Sequence, residues 1–325
     1  AGTGPALALE GGGVMADFAA MADDYLRTRR ALGYKLVEQG RLLGQFVEFL
    51  AVEQAERVTI DLAVRWARLP VDTNPVWWNE RLCIVRGFTR YLSAFDPATE
   101  VPPTGLMPPG RRRITPYLFT EADLDALLEA AGQLTAGLRA DTYQTLIGLL
   151  SVSGMRVGET AGLDRADIDW DHALLTIRNT KFGKSRQIPL HPTTMTALEG
   201  YARRRDVLLA ARAKPTGPSF FVSSTGTRLI PGRVGANIGS LIREVGLWNT
   251  GTSRPPRAHD LRHSFAVRTL LGWYRAGLDV NRRLPLLSTY LGHVEPANTY
   301  WYLHAAPELM ALAAQRRDQN QETRP

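Results

Sequence analysis

A histidine and a tyrosine near the end of the chain have a spacing that suits chemistry on a phosphate. Tyr302 follows His293 by nine residues, within the segment Leu-Gly-His-Val-Glu-Pro-Ala-Asn-Thr-Tyr-Trp-Tyr over 291–302. Upstream lie four more groups that can bind an anion or move a proton: Arg156, Lys181, His259 and Arg262. Cationic side chains bind phosphate, and a phenol can act as a nucleophile. The set predicts a phosphate-binding cluster with a phenolic nucleophile, suited to cutting and rejoining DNA.

Arg156 lies just after a glycine that is predicted to end a helix. Its guanidinium can there point at a ligand, and Glu159 follows one helical turn later, where it can orient that guanidinium. A guanidinium binds a phosphate through two parallel N–H donors. An arginine in such a position is more often a surface or capping residue, so Arg156 alone does not establish a site.

The segment Ala-His-Asp-Leu-Arg-His over 258–263 is more specific. His259 and Arg262 are three residues apart, which places them on one face of a predicted helix. They also lie near its N-terminus, where the helix dipole and free N–H groups favour an anion.

Lys181 has a weaker signal, because it lies in the predicted turn of a hairpin, where lysines are usually only solvated. Lys184 and Arg186 are neighbours that can take its place in the same reasoning.

Two helical regions separated by a linker must position these groups. Apolar residues recur at helical spacing from Asp17 to about Phe95, which predicts a small helical bundle. Six prolines and three consecutive arginines over 96–116 predict a stiff, basic linker. Beyond it, a capping box at 120–123 and a buried helix over 142–152 are expected. A hairpin is predicted from 173–180 and 185–191, a third strand at 219–222, and helices near 193–211, 234–245, 259–276, 284–291 and 297–304.

Composition bounds the class of protein. The net charge is +7 and the pI is about 9.7, which favours a polyanionic partner such as nucleic acid. The single cysteine, Cys83, excludes an intrachain disulfide and is expected to be buried. No apolar run is long enough to predict a membrane span. Residues 1–13 are small and glycine-rich, which is typical of a flexible leader rather than a signal peptide, and an intracellular location fits.

Taken together, these residues resemble the tyrosine recombinase, or phage integrase, family. Three motifs carry the resemblance over about 120–304: Gly-Met-Arg-Val-Gly-Glu, His-Asp-Leu-Arg-His, and Leu-Gly-His with a tyrosine nine residues on. The helical region that contains Leu-Gly-Tyr-Lys at 32–35 is similar to the core-binding domain of the family. The resemblance implies a mainly α fold with a small β-sheet (α+β). It also implies a leader at 1–13, a helical, SAM-like core-binding domain at 14–100, a linker at 101–116 and a catalytic domain at 117–325.

The resemblance also implies a mechanism. Tyr302 would attack the scissile phosphorus and form a 3′-phosphotyrosyl intermediate, with His259 as the base. Arg156 and Arg262 would bind the non-bridging oxygens with help from His293, and Lys181 would protonate the leaving 5′-oxygen. Glu159 would orient Arg156. No cofactor is expected, because the guanidinium pair supplies positive charge without a metal and the phosphotyrosine conserves bond energy without ATP.

The expected partner is double-stranded DNA, bound by a homotetramer on two DNA sites, with accessory DNA-bending proteins as further partners. Side chains expected to contact DNA are Lys35, Arg86, Arg90, Arg111, Arg112, Arg113, Lys184 and Arg186. An apolar patch at 309–312 would pack on a neighbouring protomer or on its own domain. The long 262–293 segment favours a recombinase of a mobile element, acting in the cytoplasm at the nucleoid. The alternatives are Xer-like dimer resolution, relaxation of DNA in the manner of a type IB topoisomerase, and DNA binding by an idle site.

Overall fold

A computed structural model describes residues 17–108, 115–134, 137–178, 185–211, 217–249, 254–293, 295, 297–305 and 309 of the 325. The chain divides into two compact units, residues 1–113 and 114–325. The expected leader, Arg111 to Arg113 in the linker, and Lys181 and Lys184 in the hairpin turn lie outside the described residues. None of the helices in the described part of the chain is long and apolar enough to span a bilayer.

The described part of the first unit, residues 17–108, is a bundle of four helices, as its apolar periodicity predicts. The helices are α1 (Phe18–Ala31), α2 (Val37–Val52), α3 (Ile60–Arg68) and α4 (Pro75–Leu92). Thr59 caps α3 by accepting a hydrogen bond from the N–H of Leu62, and Asn74 caps α4, which starts with a proline. The helices enclose a core in which Phe46, Leu50 and Phe88 are fully buried.

Arg86 on α4 is buried, which corrects the expectation that it contacts a DNA phosphate. Its Nε donates to the carbonyl of Pro102 at 2.7 Å, and its Nη2 donates to the carbonyl of Pro103 at 2.9 Å. The carbonyl of the buried Pro102 needs a donor, and Arg86 supplies it. Cys83 is exposed on the same helix, contrary to expectation. Lys35 and Arg90 are exposed, as DNA-contacting residues must be.

The second unit contains eight helices and three strands among its described residues. In chain order they are α5 (Glu121–Gly132), α6 (Leu138–Ser153), α7 (Val157–Ala161), β1 (Ile168–Asp169), β2 (Leu174–Ile177), β3 (Arg186–Pro189), α8 (Pro192–Ala211), α9 (Pro231–Glu244), α10 (Ala258–Arg275), α11 (Val280–Leu291) and α12 (Ala297–Ala305). Thr120 and Asp123 form the predicted capping box of α5. The fold is therefore mainly α with a small sheet.

The strands form an antiparallel sheet in the order β1-β2-β3. Leu175 of β2 pairs with Ile188 of β3, so the predicted hairpin is confirmed. The prediction of a strand at 219–222 is wrong, because these residues make only isolated bridges and the third strand is β1. Phe220 and Phe221 are both fully buried, so this segment passes through the core without the alternating burial of a strand in a solvated sheet.

The apolar helix α6 crosses the core of the second unit and ends at Gly154, as its sequence predicts. Gly154 has a φ of +59°, a left-handed conformation that glycine adopts without steric cost. A Cβ at this position would lie 2.4 Å from Cδ1 of Phe265 and 3.0 Å from Cδ2 of Leu291. The turn after α6 therefore requires glycine, and this turn leads directly into Arg156.

Replacing this glycine tests the requirement. Gly154→Ala should destabilise the protein by at least about 2 kcal/mol, because alanine is strained at this φ and its methyl group meets a buried ring. Thermal or urea unfolding measures the loss. Gly158→Ala is the matched control, since a Cβ at 158 meets nothing within 4 Å. Equal unfolding midpoints for the two variants would contradict the strained turn.

Candidate active site

A buried arginine joins the ends of two helices. Arg262 of α10 is 1% exposed. Its Nη1 donates to the carbonyl of Gly154 at 2.8 Å, and its Nη2 donates to the carbonyl of Leu291 at 2.7 Å. The last carbonyls of a helix have no partner within the helix, so one guanidinium satisfies the ends of both α6 and α11. Burial, then the neighbouring Arg156, lowers the pKa of Arg262 to about 10, which leaves it cationic at neutral pH.

Arg156 is held beside this junction with its side chain 36% exposed. Its Nη1 donates to Oε1 of Glu159 at 2.7 Å, and its Nη2 donates to the carbonyl of Gly292 at 3.1 Å. The backbone N–H of Arg156 donates to Oε2 of the same carboxylate. Glu159 thus orients Arg156, in the geometry that the sequence suggests, and the partly exposed guanidinium is open to a ligand.

Arg186 of β3 does not face solvent, which corrects its assignment as a DNA contact. Its side chain is 10% exposed, and its Nη2 and Nη1 donate to the two oxygens of Glu159 at 2.8 and 3.1 Å. Burial alone would raise the pKa of Glu159. Hydrogen bonds from Arg186 and from the Arg156 N–H outweigh burial and lower that pKa to about 2. One buried carboxylate therefore binds two arginines.

His259 lies in the first turn of α10, one turn before His263. The two rings meet edge to face with centroids 4.7 Å apart. His259 is exposed, at the edge of the cluster. Desolvation by the surrounding protein, followed by the charge of Arg262, lowers the pKa of His259, so this imidazole is neutral at pH 7 and can accept a proton. Asp260 holds the start of α10 by accepting a hydrogen bond from the N–H of Arg257 and two from the guanidinium of Arg254.

His293 follows α11 in the turn made by Gly292, whose φ is +67°. Its Nδ1 is 2.7 Å from Oγ1 of Thr299, a hydrogen bond that fixes the orientation of the ring. Burial, then the charge of Arg262, lowers the pKa of His293 to about 3. His293 is therefore a neutral hydrogen-bonding group, and Thr299 of α12 orients it.

Tyr302 of α12 faces this cluster. It is 2% exposed, whereas Tyr300 on the same helix is 48% exposed. Its ring centroid lies 5.9 Å from that of His293 and 5.3 Å from that of His263. Burial raises the pKa of the Tyr302 phenol, although the charge of Arg262 and a hydrogen bond to it oppose the rise. The fold thus brings Tyr302 together with the cationic groups and turns Tyr300 away.

Comparison with known proteins identifies the fold and the chemistry. The model of the phage integrase family matches residues 118–308, more than half of the chain. The chain belongs to the phage integrase family. Proteins of this family are tyrosine recombinases, which break and rejoin DNA.

Two curated relatives and one solved structure illustrate the likeness. A putative integrase/recombinase of Sinorhizobium fredii, y4rB, is 44% identical over 95% of this chain and 100% of its own length. The tyrosine recombinase XerC of Azotobacter vinelandii is 30% identical over 69% of this chain and 67% of its own length. A lambda integrase tetramer bound to a Holliday junction has a TM-score of 0.58 at 16% identity, covering 87% of this chain and 76% of that one.

The recombinase fold also places residues in the cluster that sequence reasoning missed. Thr299 has no motif around it, so nothing in the sequence pointed to its bond with His293. The sequence does indicate that His263 lies near His259, since it follows His259 by four residues on the same helix face. Its ring lies among His259, Trp301 and Tyr302, and burial, then His259, lowers its pKa to about 3. Lys181 lies outside the described residues.

A cavity opens beside the cluster. It has a volume of about 960 Å³ and reaches both Arg156 and His259. Its far wall is one face of α9 with Gly235 and Gly239, and Arg243 stacks there on Trp248. Arg156 and His259 therefore border open space of molecular size, while Tyr302 lies behind them in the core of the unit.

Proposed function

We propose that this recombinase cleaves DNA with Tyr302 and recombines the DNA of a mobile element at specific sites. One observation carries the assignment of the nucleophile. Of the two tyrosines described on α12, only Tyr302 lies against Arg262 and His293, whereas Tyr300 faces solvent. A phenol is a weak nucleophile until it loses its proton or is held near strong positive charge. The surroundings of Tyr302 supply that charge.

Each residue of the proposed catalytic set has a task in this reaction. Oη of Tyr302 attacks the scissile phosphorus while its proton passes to the neutral imidazole of His259. The bond between phosphorus and the 5′-oxygen breaks, and Lys181 donates a proton to that oxygen. The product is a 3′-phosphotyrosine, which the 5′-hydroxyl of another strand attacks to release Tyr302. The number of phosphodiester bonds is conserved, so the exchange needs no nucleotide hydrolysis.

Positive charge at the phosphate stabilises the transition state. Arg156 and Arg262 are proposed to donate to the non-bridging oxygens, where negative charge grows during attack. Arg156 is open to the cavity, whereas Arg262 already donates to two carbonyls and acts mainly through its charge and its remaining N–H groups. His293 is proposed to add a further hydrogen-bond donor. These cationic donors are proposed to take the place of a metal ion.

We propose a mobile-element enzyme in preference to a resolvase of dimeric chromosomes. In support, a protein named as a putative integrase/recombinase matches 95% of this chain, whereas XerC matches 69% of it. Xer-like resolution remains the second candidate because XerC is 30% identical. Four protomers on two DNA sites are proposed, supported by the lambda integrase tetramer on a Holliday junction. Accessory DNA-bending proteins and action at the nucleoid complete this proposal.

Several exposed or undescribed side chains are proposed to contact the duplex. Lys35 and Arg90 of the first unit are exposed and retain this assignment. The arginines at 111–113 and Lys184 also remain proposed DNA contacts, on sequence grounds alone.

Leu309, in the apolar patch at 309–312, is 1% exposed and packs in the cluster that contains Tyr302. At least this residue of the patch therefore packs within its own unit.

A suicide substrate tests the proposed nucleophile. A duplex nicked next to the cleavage site loses its 5′-hydroxyl fragment after attack and traps the protein on the 3′-phosphate. Wild type should accumulate this covalent adduct, and Tyr302→Phe should form none, because it lacks the attacking oxygen. Denaturing electrophoresis with labelled DNA measures the adduct.

Tyr300→Phe is the matched control, since it removes a neighbouring hydroxyl that faces solvent. It should form the adduct at the wild-type rate. An undiminished adduct with Tyr302→Phe would overturn the assignment. Absence of an adduct with the wild type would favour the reading of an idle DNA-binding site, whereas relaxation of plasmids without a specific site would favour a topoisomerase.

The proposed general acid has its own test. Lys181→Ala should slow cleavage by roughly 100-fold, the usual contribution of a positioned acid. A substrate with a 5′-phosphorothiolate at the scissile position should restore the rate, because a thiolate leaves without a proton. Lys184→Ala is the control: it removes one proposed phosphate contact, so at saturating protein it should cleave both substrates at the wild-type rate. Rescue of Lys184→Ala, with no rescue of Lys181→Ala, would move the role of acid to Lys184.

A further inference from the structure

Arg186 joins three separate segments of the second unit. It is the first residue of β3, and its Nε donates to the carbonyl of Tyr290 near the end of α11 at 2.8 Å. Its two terminal nitrogens donate to the carboxylate of Glu159 in α7. All three guanidinium nitrogens therefore donate hydrogen bonds inside the protein. The side chain is only 10% exposed, so it is not directed at a DNA backbone.

Through Glu159, Arg186 acts on Arg156. Oε1 of Glu159 accepts from both guanidinium groups, and Oε2 accepts from Arg186 and from the backbone N–H of Arg156. These four hydrogen bonds from two sides hold the carboxylate in place, because a fully satisfied polar network is rigid. Without Arg186, Glu159 would lose two of its four hydrogen bonds and could turn away, so Arg156 would lose its fixed direction.

Through the backbone at 290–292, Arg186 also acts on the turn that carries His293. A Cβ at Gly292 would lie 2.7 Å from Nη1 of Arg186 and 3.0 Å from its Cζ, so the guanidinium lies directly against the glycine. The carbonyl of that glycine accepts from Nη2 of Arg156. The same guanidinium therefore packs on the turn between α11 and His293 and on the carboxylate that orients Arg156.

We infer that Arg186 is a positioning residue of the recombination reaction, which fixes Arg156 through Glu159 and fixes the His293 turn through Tyr290 and Gly292. The inference rests on the proposed function, because it matters only if Arg156 and His293 contact the scissile phosphate. Arg186 itself touches neither DNA nor the reacting atoms. This role requires the planar guanidinium of an arginine, since a lysine cannot reach Glu159 and Tyr290 with three fixed donors.

Single-turnover cleavage of the suicide substrate, measured beside the Kd for the intact duplex, tests this role. Arg186→Met should cleave about 100-fold more slowly, the scale expected when a reacting group shifts by about 1 Å. Its Kd should stay within about threefold of wild type, because affinity comes from many phosphate contacts. Arg186→Lys keeps the charge and should lose about tenfold in rate, because it restores only part of the fork.

A pH profile separates positioning from a general loss of stability. Glu159 faces Arg156 from its own segment and Arg186 from β3, with Arg262 of α10 also in electrostatic range. Its pKa is lowered in the folded protein, so the ionised form that holds Arg156 persists to low pH in the wild type. Removing Arg186 raises this pKa towards its ordinary value of 4.5. Cleavage by Arg186→Met should then fall further than wild type between about pH 6 and 4.5.

The double variant Arg186→Met, Glu159→Gln removes the titrating group and should lack this additional fall. Arg178→Met is the matched control, since it removes an arginine–carboxylate pair, with Asp167, elsewhere in the same unit. It should cleave normally. Should Arg186→Met fail to fold in a thermal scan, the tenfold loss and unchanged Kd of Arg186→Lys decide the matter instead.

The outcomes distinguish this inference from the proposed function. Absence of an adduct with wild-type protein would remove the proposed function itself. If the wild type forms the adduct, two results would overturn only the role of Arg186. One is cleavage within about threefold of wild type in the folded variants, and the other is a loss of duplex binding in step with the loss of cleavage.

Discussion

The arrangement of the site depends on the buried guanidinium of Arg262. Arg262 donates to the last carbonyls of two helices, so the ends of α6 and α11 must meet at α10. A buried charge without partners is costly, whereas this charge is compensated by backbone carbonyls that also lacked partners. The residues that follow these helix ends, Arg156 and His293, are brought together as a result. The structural role of Arg262 and its proposed catalytic role come from the same position.

The cluster has a charge balance that suits a phosphodiester. The guanidinium groups of Arg156 and Arg186 bind the carboxylate of Glu159, that of Arg262 lies within electrostatic range of it, and the neighbouring imidazoles are neutral. Partial desolvation and the charges of the arginines keep these imidazoles neutral, because both lower the pKa of His259 and of His293. The net excess of two positive charges matches a phosphate diester that gains negative charge during attack. A neutral imidazole can accept a proton, as the proposed mechanism requires of His259, and burial raises the pKa of Tyr302, the proposed donor of that proton.

Short-range patterns predicted the groups on helices, because helix periodicity fixes which residues share a face. This holds for His259 with Arg262 and for the turn at Gly154 before Arg156. It fails for long side chains whose partners are distant in sequence. Arg86 and Arg186 were both assigned to DNA, yet each turns inward to carbonyls or a carboxylate 16 to 104 residues away. Thr299 is missed for a different reason: its partner His293 is only six residues away, but no motif around Thr299 marks it. The third strand is misplaced because buried aromatic residues at 220–221 resemble a strand in sequence alone.

The stabilisation of the transition state by the arginines can be measured directly with a methylphosphonate at the scissile position. In this substrate a methyl group replaces one non-bridging oxygen and removes the negative charge of the phosphate. Arg156→Ala should cleave the ordinary phosphate about 1000-fold more slowly than wild type, the upper end of the loss for one donor to a developing oxyanion. On at least one methylphosphonate stereoisomer this deficit should shrink to about tenfold or less, because little charge remains to be stabilised. An equal deficit on both substrates would contradict electrostatic stabilisation by the arginine cluster.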